Sequence, residues 1–60
     1  MEKIKVNNVP QYAYEYKYVA VVMVSEERWF FGAYNNDQEL PNEFYERNME
    51  LIELDKVEAI

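Results

Sequence analysis

Positions 12–18 place a tyrosine at every second residue, Tyr12-Ala13-Tyr14-Glu15-Tyr16-Lys17-Tyr18, and run without a break into Val19-Ala20-Val21-Val22-Met23-Val24. A period of two in aromatic and β-branched residues predicts one long strand. The polar stretch Ser25-Glu26-Glu27-Arg28 then reads as a hairpin loop. Its returning strand is Trp29-Phe30-Phe31-Gly32-Ala33-Tyr34, with Trp29, Phe31 and Ala33 on one face and Phe30 and Tyr34 on the other. Within Met1–Asn8, Ile4 and Val6 alternate with Lys3 and Lys5 ahead of Asn7-Asn8-Val9-Pro10. That pattern predicts a short edge strand or a loose arm ended by a turn.

Asn35-Asn36-Asp37-Gln38-Glu39 is a polar connector, and Pro41 suits the first turn of a helix because its missing N–H is unpaired there in any case. Glu39 and Glu43 flank that start, where the helix dipole favours negative charge, so a helix is predicted over 41–48. Residues 49–57 fit two patterns. Either the helix continues to about Lys56, or a last strand runs from about Leu51 to Val57 with Ile52 and Leu54 alternating with Glu53 and Asp55. The strand is preferred, since a two-stranded hairpin is marginal without a third strand. The expected fold is α+β: a small antiparallel sheet in the order β-β-α-β, an extra N-terminal strand if the arm pairs, and one short helix. A helix of eight residues is about 12 Å long and covers part of one sheet face. The other face of the hairpin is apolar and left bare, which points to a homodimer or a docked partner.

At 60 residues the chain holds one domain, 1–60, close to the lower limit of independent folding. Half its residues are apolar and 17% aromatic, which places it among ordered proteins. It has no cysteine, hence no disulfide and no thiolate zinc site, so packing must supply the stability. Glu2 and Lys3 follow Met1 with no apolar leader, and the aliphatic run 19–24 is too short to span a bilayer, so a cytoplasmic location is expected without membrane contact.

Chemistry is scarce. With no histidine and a single serine, Ser25, in a loop beside two glutamates, an activated nucleophile has no base. Paired carboxylates are plentiful, but so small a domain has no room for a substrate cleft. Asn35, Asn36, Asp37 and Glu39 offer oxygen donors without the Asp-x-Asp-x-Asp-Gly order of a calcium loop and read as a solvated turn. Neither an enzyme nor a cofactor is expected.

Charge is more informative. Residues 1–30 carry four acids and four bases, while residues 31–60 carry eight acids and two bases, so the whole net charge of −6 lies in the second half. An acidic surface repels phosphate backbones and anionic lipid and favours a basic partner protein. In that reading Asp37, Glu39, Glu43, Glu46, Glu50 and Glu53 steer association, and Phe44 or Tyr45 is the apolar anchor. The alternatives are a structural homodimer whose acidity only keeps it soluble and, third, a nucleic-acid binder using the tyrosine ladder and Trp29-Phe30-Phe31 as a stacking platform. Against the third, Lys17 and Arg28 are the only cations near those aromatics.

Lys17–Val21 followed by Arg28–Asn36 resembles a hairpin of small, acidic, uncharacterised phage and prophage proteins of Gram-positive bacteria, tagged W-F-x-G-A-Y. That resemblance implies a bacterial host cell and no particular activity. Weaker similarity links the chain to the phage uracil-DNA glycosylase inhibitors, dimeric proteins that imitate DNA. It rests on length, acidity, the pair Glu43-Phe44 at a helix and the closing Leu54-Asp55-Lys56-Val57, with a shorter spacing between those two pieces here. It implies Glu43 and Phe44 as contact residues and DNA mimicry as a mode of inhibition.

Overall fold

The hairpin carries the densest run of β-branched and aromatic residues, and it forms the centre of the molecule. In the computed structural model, which describes residues 2–60, β2 (Tyr18–Val24) pairs antiparallel with β3 (Glu27–Tyr34). Only Ser25 and Glu26 lie between them, both at positive φ (51° and 69°). Two such residues in a two-residue loop mark a type I′ turn, whose twist matches that of the flanking strands. The loop expected over 25–28 is therefore shorter, with Glu27 and Arg28 drawn into β3 opposite Val24 and Met23.

The other edge of β2 pairs antiparallel with β4 (Glu50–Glu53), giving a three-stranded sheet of order β3-β2-β4. A second sheet is a parallel pair, β1 (Ile4–Val6) with β5 (Val57–Ala59). Asn7 ties the two sheets together: its N–H donates to the Arg28 carbonyl at 2.8 Å, and its own carbonyl accepts from the Phe30 N–H at 2.9 Å. With one short helix, α1 (Asn42–Glu46), the fold is α+β with a small sheet, as the residue pattern predicts.

Three local expectations are corrected. The tyrosine ladder does not extend the long strand: Gln11–Glu15 forms a 3-10 turn and β2 starts only at Tyr18. Pro10 opens the turn by accepting from the Ala13 N–H at 3.1 Å, and Ala13, fully buried, is small enough to let the turn sit against the sheet. The tyrosines are instead largely exposed, so their alternation reflects no buried face. The helix predicted over 41–48 contracts to Asn42–Glu46, with Pro41 just outside it in extended conformation. Asn48, at φ 58°, then turns the chain into β4. The last strand is real but broken, because a 3-10 turn at Leu54–Lys56 redirects the chain from one sheet to the other. Met1, part of the predicted opening arm, lies outside the described residues.

Register explains which aromatic points where. Ala20 faces Gly32 whereas Val21 faces Phe30, so Phe31 is the extra residue of a β-bulge. The bulge resets the alternation. Phe30 and Ala33 pack with Val6, Ala13, Val19, Val21, Ile52 and Val57 between the two sheets, and Phe31 and Tyr34 pack with Ala20, Phe44 and Met49 under α1. The grouping of Trp29, Phe31 and Ala33 on one face is thus broken by one inserted residue. Gly32 is where the Tyr34 side chain folds back over the strand, since a Cβ there would lie 2.6 Å from Tyr34 Oη. Both faces of β2 are covered within one chain, so no bare hairpin face demands a homodimer.

Because Ser25 and Glu26 adopt a backbone region that costs side-chain-bearing residues about 1 kcal/mol each, the double substitution Ser25→Asn/Glu26→Gly stabilises the protein. The expected rise in melting temperature is roughly 4–8 °C, read by circular dichroism. A fall would overturn the turn assignment.

Candidate functional site

The acidic residues singled out by sequence do not form one surface. Residues 37–46 carry Asp37, Glu39, Glu43 and Glu46 with no base among them, and they lie on the short segment that covers the outer face of the three-stranded sheet. This segment is locally braced. Asn36 caps the 3-10 turn Asp37–Glu39 by accepting from the Gln38 N–H at 2.9 Å, and a Glu39 carboxylate oxygen accepts from the Asn35 N–H at 3.1 Å. Glu43 pairs with Arg47 one turn along at 2.9 Å, an exposed pair whose energetic weight is small. Asp37 and Glu46 make no ion pair among the described residues.

Glu50 and Glu53 belong elsewhere. Glu50 accepts from Arg28 Nε at 3.0 Å, across β2 on the side of the sheet that carries Met23 rather than α1. Glu53 borders a groove between the Gln11–Glu15 and Leu54–Lys56 turns. Since β4 alternates, its two acidic positions cannot both share the surface of the helix.

The two aromatic candidates part company as well. Phe44 is 9% exposed and packs against Ala20 and Met49, so its ring holds α1 on the sheet and is not offered to a partner. Tyr45 is 64% exposed and meets Phe44 edge-on at 5.2 Å, so a large, stiff side chain stands in solvent with one edge braced. Helical position separates them, because a five-residue helix has one inward stripe and Phe44 occupies it.

Sequence reasoning missed Tyr34 as a neighbour of this surface. Burial, then the Glu43 carboxylate, hold its hydroxyl above the ordinary value of 10.0. The signal was the glycine two residues earlier, which marks a close approach without naming the side chain that makes it. The tyrosine ladder does not lie along one strand. Tyr12 and Tyr16 meet each other edge-on at 6.4 Å on a 3-10 turn, and Tyr12 leans on Phe30 at 6.2 Å, rather than lining a sheet. Among the described residues no group of acidic side chains is placed to hold a metal ion, and no helix is long and apolar enough to cross a membrane. No family model, curated protein or solved structure matches the chain.

Two measurements check this site. Phe44→Ala removes a core ring at a cost of about 3–5 kcal/mol, comparable to the total a core of this size supplies, and is expected to abolish the cooperative melt. Tyr45→Ala should stay within about 0.5 kcal/mol of the parent, and similar losses for both would contradict the assignment. Tyr34 gives a pH signature. Its value in the folded chain is raised, so its neutral form favours folding below the ordinary tyrosine value, and that contribution fades as pH rises through the raised one. Replacing Glu43 with Gln should lower the Tyr34 midpoint in an NMR titration of its ring resonances while leaving it above 10.0, because burial remains.

Proposed function

We propose that this protein is a small acidic interaction module, of the phage-encoded kind its hairpin resembles, that occupies a basic surface on another protein. The observation that carries the reading is Tyr45, a 64% exposed aromatic on the segment 37–46, which bears four acids, of which Glu43 is paired with the neighbouring Arg47. Net negative charge on a segment that also presents one exposed aromatic ring supplies the two things such contacts need: a field that speeds encounter and an anchor that slows dissociation. Asp37, Glu43 and Glu46 steer, Tyr45 inserts, and Glu39 keeps the loop in shape. A nucleic-acid-handling host protein is the favoured target, because its binding cleft is basic and a −6 chain competes with phosphates there.

The test is capture from a bacterial lysate at two salt concentrations. Asp37→Asn/Glu43→Gln/Glu46→Gln and, separately, Tyr45→Ala should each lose the captured protein at low salt, with melting points close to the parent. Equal capture by parent and variants would sink the reading, as would a salt-sensitive complex between the protein alone and labelled DNA. The second reading, a structural homodimer, draws on Met23 and Val24, each 49% exposed at the hairpin end. A dimer in sedimentation that dissociates in Met23→Lys/Val24→Lys would favour it.

A further inference from the structure

Glu50 and Glu53 stand outside the acidic segment, and the sheet topology gives them another task. An outer strand presents a row of unpaired N–H and C=O groups, which is a template for a further strand. Of the four outer strands in the two sheets, three are poor templates. Along β3 the Asn7 main chain bonds to Arg28 and Phe30, and the bulge at Phe31 bends what remains. Asn7 directly follows β1, so it turns that strand toward β3 as well. The fourth residue range of that kind, β5, is only three residues long. β4 differs, because its pairing with β2 is regular and nothing pairs with its far side among the described residues. The Leu54 N–H donates to the Lys17 carbonyl at 2.9 Å, which sets the phase of that ladder. Bonded pairs recur every second residue, so Glu50 and Ile52 turn their main chain to β2, while the Leu51 N–H and C=O and the Glu53 N–H point away. None of these three groups bonds to another segment among the described residues.

We propose that Glu50 and Glu53 keep this edge from pairing with the β4 strand of a second copy of the chain. Such a pair is two-fold and antiparallel, and it has to use the outward main chain of Leu51 and Glu53. Three registers do so: Leu51 opposite its own counterpart, Leu51 opposite the counterpart of Glu53, and Glu53 opposite its own counterpart. In the first, the two Glu50 side chains are diagonal neighbours. The second makes the two Glu53 side chains diagonal neighbours, and the third sets them directly opposite. Every register therefore brings two like charges within about 7–8 Å or less, where they oppose pairing. Glu53 makes no ion pair among the described residues, so its charge acts in full on two of the registers. Glu50 is offset by Arg28 at 3.0 Å, and the register it guards is the least repelled of the three. Leu51 and Ile52, between the two acids, are apolar, so charge at both ends is what sets this strand apart from an adhesive one. The role is independent of the acidic surface proposed above, since neither residue lies within 37–46.

The experiment combines sedimentation of the intact protein with hydrogen exchange of its amides by NMR. Glu50→Thr/Glu53→Thr removes both charges and leaves a residue type at home in strands. It should self-associate at least roughly tenfold more strongly than the parent, with exchange of the Leu51 and Glu53 amides slowed in proportion. Two further variants separate edge pairing from its alternatives. Glu43→Gln/Glu46→Gln changes the net charge by the same amount elsewhere and should behave as the parent. Glu50→Thr/Glu53→Pro also carries that charge, but it deletes the outward N–H at a position whose φ of −63° already suits proline. It should sediment as the parent does. The proposal falls if the double threonine variant associates no more than the parent, if Glu43→Gln/Glu46→Gln associates equally, or if the proline variant still dimerises. It falls as well if the parent is a dimer with its Leu51 and Glu53 amides protected. Should the proline variant fail to fold, the exchange rates at Leu51 and Glu53 in the threonine variant decide alone, since association elsewhere leaves them unchanged.

Discussion

Burial of β2 on both faces is the constraint on which the rest of this molecule depends. Val19, Ala20 and Val21 are fully buried, and because side chains alternate along a strand they need two separate covers. A chain this short, with no cysteine to staple it, has no spare elements for that task. One face receives α1 through Phe44 and Met49, and the other receives the β1–β5 pair together with Ala13 from the turn ahead of β2. The cost of the compromise is visible at Trp29, whose indole nitrogen is buried without an acceptor among the described residues.

Irregularity is how so few residues reach both faces. The bulge at Phe31 lets β3 send Phe30 to one core and Phe31 to the other, and Gly32 leaves room for Tyr34 to lie back over the strand. The 3-10 turn at Leu54–Lys56 moves the chain from the three-stranded sheet to the parallel pair without a long crossover. Close spacing of these devices separates the outer surfaces too. The acidic segment lies over one core, and the tyrosine groove opens beside the turns that close the other. Tyr45 and Tyr14 are exposed, so a substitution at either leaves β2 covered, whereas one at Phe44 does not.

The amino-acid sequence by itself determined the fold class, the hairpin, the third strand, the existence of a short helix next to Pro41, and the gathering of negative charge in the second half. These follow from local causes: β-branched density over 19–24, a proline at 41 and a polar connector over 35–39. What it did not determine has a physical reason in each case. The tyrosine alternation over 12–18 is compatible with a strand, and only docking of Ala13 into the core makes a 3-10 turn the better state there. One inserted residue at Phe31 inverts the face of everything on one side of it, which no periodicity within a single strand can report. Glu43, Glu50 and Glu53 look equivalent as charges along the chain. Tertiary structure alone placed them beside Tyr34, against Arg28 and on the groove with Lys17, because those neighbours come from strands and turns remote in sequence.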